Sequence, residues 1–268
     1  MLKLSIITIN YNNKAGLKKT IQSVVEQTFT NFEYIVIDGA STDGSVDVIE
    51  QYADQIAHWI SEPDSGIYNA MNKGIKAAKG QYCMFLNSGD WLCSKTVIQE
   101  AIDLSIKEDI VYGNMVKVYP DGRQLCDKGP QRDQLTLGDM YFSTINHSSS
   151  FIKKELFITF GLYKEEYKIV SDWAFFLKVI GLERVNVKYI DLDINYFDMT
   201  GISNTQLKIR YKEKETELKK VMPNHLRPDY EKMAMMSQKA RIYDALRTQF
   251  LLWNIIRLYN KLFGRPLW

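Results

Sequence analysis

The segment Leu86-Asn87-Ser88-Gly89-Asp90 sets a carboxylate directly behind an apolar run and a turn. Magnesium and manganese take oxygen ligands, using one or two protein carboxylates together with substrate phosphate oxygens. Asp90 suits such a cation, whose charge would offset the negative charge growing on a diphosphate leaving group. Asn87-Ser88-Gly89-Asp90 is equally an ordinary turn. Asp38 and Asp43 bracket Gly39-Ala40-Ser41-Thr42, Asp64 lies in Glu62-Pro63-Asp64-Ser65-Gly66, and Asp172 lies in Ser171-Asp172-Trp173. A carboxylate only accepts hydrogen bonds, and from the residues alone Asp38 fits the cap of the turn behind it. Asp43 fits the start of a helix near Ser45. For Asp172, a helix start would lower the carboxyl pKa, whereas burial by Trp173 and Phe175 would raise it. Lys73 alone reads as a solvated helix face that as a point charge would suit phosphate, and a single histidine such as His147 reads as structural.

These residues fall between regularly spaced elements. Leu4 to Ile9 is a β-branched apolar run, Leu17, Ile21, Val24 and Val25 recur at helical spacing up to Gln27, and Phe32 to Ile37 is strand-like again. A helix over Val46, Ile49, Tyr52, Ala53 and Ile56 comes next, then a strand from His58 to Ser61. A helix over Ile67, Ala70, Met71, Ile75 and Ala78 stops near Gly80, and Gln81 to Leu86 is a further strand. The alternation predicts an α/β fold with a mainly parallel sheet flanked by helices. Ligands of such sheets bind beyond the carboxyl ends of the strands, in the loops after Ile9, Ile37, Ser61 and Leu86.

Past Tyr112 the rhythm changes. Asn114 to Tyr119, the turn Pro120-Asp121-Gly122 and Arg123 to Cys126 read as a hairpin. Asp127 to Phe142 has no period and is expected to be a mobile loop over the site. Helices are expected at Lys153 to Phe160 and from Asp172 to Gly181. From Gln206 the chain is charge-rich and expected to be helical to about Gly264, broken by Pro223 and Pro228. That tail mixes Lys239, Arg241, Arg247, Arg257, Lys261 and Arg265 with Leu246, Phe250, Trp253, Ile256, Tyr259 and Leu262. It suits a bilayer surface or a helix docked on protein.

A net charge of +2 over 268 residues argues against a nucleic-acid partner. Three cysteines without metal or disulfide spacing fit a reducing cytoplasm. The first apolar run is too short for a signal peptide, and no stretch reaches the roughly 18 apolar residues of a membrane span.

Five pieces in order resemble the family 2 glycosyltransferases of the GT-A fold. They are Ser5-Ile6-Ile7-Thr8-Ile9-Asn10-Tyr11-Asn12, Ser23-Val24-Val25-Glu26-Gln27-Thr28, Val36-Ile37-Asp38-Gly39-Ala40-Ser41-Thr42-Asp43-Gly44-Ser45, Asn72-Lys73-Gly74 and Leu86-Asn87-Ser88-Gly89-Asp90. The likeness continues more faintly through His147 and Ser171-Asp172-Trp173 to Gly201-Ile202-Ser203. It implies a GT-A domain over 1–204, with a nucleotide-sugar half at 1–112 and an acceptor half at 113–204, and a helical C-terminal extension over 205–268.

The resemblance implies an inverting transfer from a nucleotide-sugar, with UDP favoured, to a saccharide or lipid-linked saccharide, with Mn2+ or Mg2+. Thr8, Asn10 and Tyr11 would hold the base and Asp38 would accept its ring N–H. Asp64 and Lys73 would lie near ribose and diphosphate, with Asn87 also on the donor. Asn87 and Gly89 stand where the family more often has aspartates, leaving Asp90 as the direct metal carboxylate. Asp172 would be the base, and His147 a contact to acceptor or phosphate. Thr200-Gly201-Ile202-Ser203 departs from the family's Gly-Gly-Ile-Ser. The setting implied is cytoplasmic, peripheral on the membrane, in surface polysaccharide or glycolipid synthesis. The rivals are a noncatalytic sugar-binding scaffold, supported by the thin acidic motif, a nucleotidyltransferase, which lacks its Gly-rich phosphate loop here, and a membrane-associated assembly protein built on the tail.

Overall fold

The computed structural model describes residues 3–104, 106–248, 254, 257–259 and 261–262. They divide into two compact units, Met1–Glu217 and Leu218–Trp268. In the first, β1 (Leu4–Asn10), α1 (Lys14–Val25), β2 (Phe32–Asp38), α2 (Ser45–Gln51), β3 (His58–Ser61), α3 (Ile67–Ala77) and β4 (Tyr82–Phe85) alternate as the apolar spacing predicts. Every residue of β1 is buried, as a parallel strand covered on both faces requires. β3, β2, β1 and β4 pair side by side in parallel, so their carboxyl ends share one edge.

The sheet then becomes mixed. β5 (Trp91–Leu92), α4 (Val97–Asp103) and the hairpin of β6 (Ile110–Val118) and β7 (Gln124–Asp127) precede α5 (Leu137–Phe142). After a 3-10 turn at His147–Ser149 come β8 (Ser150–Lys153), α6 (Lys154–Phe160), α7 (Ser171–Phe176), a π-helical turn at Leu177–Leu182 and β9 (Val187–Asp198). β8 pairs antiparallel with both β4 and β6 and so joins the two halves into one sheet, while β9 runs parallel to β6. The expected mobile stretch up to Phe142 ends instead in α5. Thr136 and Asp139 form a reciprocal capping box there, and the Trp173 indole donates to the Met140 carbonyl at 2.7 Å.

α3 clasps the second half. Asn72 donates to the Tyr163 carbonyl (2.9 Å) and accepts the Tyr163 N–H (3.1 Å), while Glu165 accepts from both Asn69 (2.8 Å) and Asn72 (2.9 Å). After α8 (Ile202–Thr205), the helix α9 (Leu207–Val221) crosses the division between the units. Its buried Glu217 accepts Lys164 Nζ at 2.6 Å and the Tyr167 hydroxyl at 2.8 Å, pinning the loop that leads into α7.

In the second unit Pro223 lies in a helix break as expected, but Pro228 does not. It is the second residue of α10 (Arg227–Thr248), where its missing N–H would be unpaired anyway. Met233, Met235 and Met236 of α10 are exposed. Among the described residues no helix is long and apolar enough to cross a membrane. Phe250, Trp253, Ile256 and Arg265 of the tail lie outside the described residues, as do the side chains of Arg241, Leu246 and Arg247.

Candidate active site

Asn10 and Asp38 end neighbouring strands in register, so their side chains meet. Asp38 accepts Asn10 Nδ2 (2.7 Å), the Ser41 hydroxyl (2.6 Å) and N–H (2.9 Å), and the Ser61 hydroxyl (2.6 Å). Burial alone would raise its pKa, but the hydrogen bonds of Ser41, Ser61 and Asn10 outweigh burial and hold it below the ordinary value. Its four lone-pair positions are filled and it is fully buried. A base N–H reaches Asp38 only by displacing a serine hydroxyl, so in this structure the residue ties the ends of β1, β2 and β3 together. Asp43 is structural as expected, accepting the Ser45 N–H and the Lys14 N–H.

Thr8, expected at the base, is fully buried, donates to the Leu86 carbonyl at 2.7 Å and accepts the Tyr34 hydroxyl at 2.9 Å, so in this structure it braces the sheet interior. Tyr11, in contrast, is 67% exposed. Its ring, the Gly39 backbone and the Asp64 carboxylate form an open cradle at the end of β2. A Cβ on Gly39 would stand 2.6 Å from Asp64 Oδ2 and 3.2 Å from Tyr11 Cδ2. Gly39→Ala is therefore expected to push both groups aside and weaken nucleotide binding about tenfold, with little change in melting temperature. Titration of nucleoside diphosphate by calorimetry checks this; unchanged affinity would remove the cradle from the site. Lys73 pairs with Glu62 (2.8 Å) and donates to the Pro63 carbonyl (3.1 Å), so it holds the loop that carries Asp64.

The turn after β4 is fixed from α1. Thr20 Oγ1 donates to the Asp90 carbonyl at 2.6 Å and accepts the Gly89 N–H at 3.0 Å, with Gly89 at φ 105°, where glycine is unstrained. Asp90 is buried. Oδ1 accepts the Asp198 N–H at 3.0 Å, while Oδ2 makes no hydrogen bond. Burial pushes its carboxyl up to about 7, against the Asp198 N–H and the charge of His147 and helped by the Asp198 carboxylate. Asn10 Oδ1, Asn87 Oδ1 and His147 Nε2 are likewise buried without hydrogen bonds. Unmade bonds of this kind cost about 1–3 kcal/mol each; Tyr163, Asn195 and Arg227 also carry one, but those of Asn10, Asn87 and Asp90 gather where β1 and β4 end and make that edge the candidate ligand site.

A divalent cation fits Asp90, because an unpartnered buried carboxylate oxygen is the donor that such an ion takes. Among the described residues no group of three or more His, Cys, Asp or Glu side chains is arranged for a metal, so oxygens of the donor diphosphate would have to complete the shell. Asp198, at the end of β9, is a site residue that the sequence pattern did not single out.

Asp172 opens α7 across from α3. Its Oδ1 accepts the Tyr68 hydroxyl at 2.7 Å and its Oδ2 lies 3.2 Å from His147 Nδ1. Burial by itself would raise its pKa, but the hydrogen bond and charge of His147, then Tyr68 and the Trp173 N–H, win and lower it. The expected upward tuning by Trp173 and Phe175 is thus corrected: burial is present, and hydrogen bonds to the charged form overcome it. Lys214 of α9 lies 4.6 Å over the Trp173 ring, its pKa pushed down to about 8 by burial and Arg210 against the pull of Asp172.

The family model for glycosyl transferase family 2 matches residues 5–164. The chain is 32% identical over 213 residues to an uncharacterized glycosyltransferase of Mycobacterium tuberculosis, covering 75% of this chain and 77% of that one. It is 29% identical over 208 residues to a PGL/p-HBAD biosynthesis glycosyltransferase of Mycobacterium bovis, covering 75% and 79%. Among solved structures it resembles Staphylococcus aureus TarS 1–349 in complex with UDP, with TM-score 0.62, 20% identity, and 73% of this chain and 60% of that one covered. It also resembles the mannosyltransferase PcManGT of Pyrobaculum calidifontis with GDP-Man and Mn2+, with TM-score 0.63, 15% identity, and 85% and 68% covered. The structural likeness shows a GT-A fold, and the family model over residues 5–164 with the relative 32% identical over 75% of the chain gives the rest: this chain belongs to glycosyl transferase family 2.

Proposed function

We propose that the chain is an inverting, divalent-metal-dependent enzyme that moves a sugar from a nucleoside-diphosphate sugar, with UDP as the base carrier, to a saccharide or lipid-linked saccharide hydroxyl. The observation that carries this reading is the buried, unpartnered Oδ2 of Asp90 at the sheet edge where Asn10, Asn87 and His147 also leave polar atoms open. Tyr11 and Asp64 cradle the nucleoside, with Asn10 and Asn87 on the donor and Lys73 keeping the Asp64 loop in place. Asp90 holds Mn2+ or Mg2+, which when bound offsets charge on the diphosphate. The Asp172–His147 pair receives the acceptor proton. Residues 1–112 serve the donor and 113–204 the acceptor, with 205–268 as an extension. TarS with UDP and PcManGT with GDP-Man and Mn2+ support the ligand class. A relative named for PGL/p-HBAD biosynthesis and one named for putative teichuronic acid biosynthesis support a role in surface polysaccharide or glycolipid synthesis. The exposed methionines of α10 fit peripheral contact with the cytoplasmic membrane face.

The test is thermal unfolding with UDP-GlcNAc, UDP-glucose, UDP-galactose and GDP-mannose, each with and without Mn2+. At a hundredfold excess over Kd, binding adds about 2.7 kcal/mol, which for a chain of this size is a rise of roughly 5–10 °C. A rise with one nucleotide that needs Mn2+ is expected. Absence of any rise with all four, with metal present, would sink the reading, and binding without release of nucleoside diphosphate would favour the scaffold.

A further inference from the structure

We propose that Nε2 of His147 is the atom that takes the acceptor's proton, and that Asp172 is a positioning residue that sets the tautomer of His147 and balances its charge. This rests on the transfer reading above and assigns the proton within it.

The geometry separates the two roles. Oδ1 of Asp172 accepts the Tyr68 hydroxyl at 2.7 Å and Oδ2 faces His147 Nδ1 at 3.2 Å. An ionised carboxylate can only accept, so the proton between Asp172 and His147 sits on Nδ1 of the imidazole. In the neutral ring Nε2 then carries a bare lone pair. That nitrogen is buried and makes no hydrogen bond. The Phe85 ring lies 6.1 Å from the imidazole, and its position is held by the 3-10 turn His147–Ser149 packed beside β4. Asp90, the metal carboxylate, feels the charge of His147, so the imidazole shares the neighbourhood in which the diphosphate is expected.

The ionisable groups around the imidazole are Asp172 from α7, Tyr68 from α3 through Asp172, and Asp90 from the turn after β4, with Lys214 of α9 acting on Asp172. Of the Asp172–His147 pair, Nε2 is the atom left without a partner. In the step, the acceptor oxygen forms a bond to the anomeric carbon as the bond from that carbon to the diphosphate oxygen breaks. The bonding pair leaves with the nucleoside diphosphate, and the hydroxyl proton passes to Nε2. The imidazolium that results is stabilised by Asp172, which keeps its own charge. This is the triad logic of a carboxylate behind a histidine, with a sugar hydroxyl in the place of a serine.

The chain has three histidines, His58, His147 and His225, so long-range 15N–1H spectra of the whole protein at pH 8 resolve each ring. His147, assigned by its loss in His147→Gln, is expected in the Nδ1–H tautomer with Nε2 bare, and Asp172→Asn is expected to move it to the Nε2–H form. An Nε2–H tautomer in the original protein overturns the proposal. The second arm measures nucleoside diphosphate release from UDP-GlcNAc and the other three sugar nucleotides with Mn2+. His147→Gln should cut release at least about a hundredfold while keeping the Mn2+-dependent rise in melting temperature. Loss of that rise makes Nε2 a metal contact, and near-normal release removes the role; either overturns the proposal. If the original protein binds donor yet releases nothing, the transfer reading itself fails, whatever the tautomer.

Discussion

Asp90→Asn is expected to abolish transfer and yet leave the ligand-free protein more stable than the original at pH 8. The loss of turnover follows from removing the carboxylate proposed to hold the cation, a contribution of several kcal/mol and so about a thousandfold or more in rate. The gain in stability follows from the same burial that raises the carboxyl to about 7. Below about pH 4 the group is protonated in both folded and unfolded chains and contributes no difference. As pH rises toward 7 the unfolded chain releases the proton and the folded chain keeps it, so stability falls, by up to roughly 4 kcal/mol in total, and levels off above 7. Asparagine carries no such penalty. Urea unfolding without metal should show the variant ahead by more at pH 8 than at pH 5. An equal difference at the two pH values would mean that Asp90 is not held protonated by its surroundings. Mn2+ together with a nucleotide donor should reverse the order, because only the original protein can bind the pair.

Asp172→Asn is the second large effect. Turnover is expected to fall by about 10³–10⁴, the size seen when a carboxylate behind a histidine becomes an amide and the ring takes the wrong tautomer. Donor affinity should stay within about twofold, since Asp172 lies in the half proposed for the acceptor and the proposed nucleoside cradle is built from Tyr11, Gly39 and Asp64. Tyr68 keeps an acceptor in the amide oxygen, so the fold should lose no more than about 1–3 kcal/mol. Single-turnover release of nucleoside diphosphate and the melting shift with donor and Mn2+ separate the two effects. A variant that turns over at near the original rate would remove Asp172 from any part in handling the proton.

The parallel half of the sheet was legible because its strands are continuous apolar runs and its helices show a clear 3.6 period, and the loops carrying Asp38, Asp64 and Asp90 followed from that order. What spacing cannot express is how far a side chain is buried or who its neighbours are. Thr8 and Asp38 stand in the right strand-end motifs, yet the Leu86 carbonyl and Tyr34 occupy one, and Asn10, Ser41 and Ser61 saturate the other. Tyr68 looks like one more apolar residue on the buried stripe of α3, and only folding across 104 residues puts its hydroxyl on Asp172. The direction of the Asp172 shift depends on that contact and on His147, neither visible from its helix-start position. Asp198 was missed because β9 alternates charged and apolar residues, and it gains its meaning only by lying beside β6 and reaching Asp90. α5 escaped notice for a different reason: six residues are too few to show a helical period, and the Thr136–Asp139 capping box was the available signal.

The clasp between α3 and the segment Tyr163–Glu165 also bears on how such enzymes can be recombined. Asn69 and Asn72, the next residue and about one turn along the helix from Tyr68, hold that segment by hydrogen bonds from both amides. A chimera that grafts residues 1–112 of this chain, proposed to serve the donor, onto the rest of a relative would inherit a helix written for a different loop. Changing sugar or acceptor choice by exchanging halves should therefore succeed only when α3 travels with the segment from Tyr163 to Asp172.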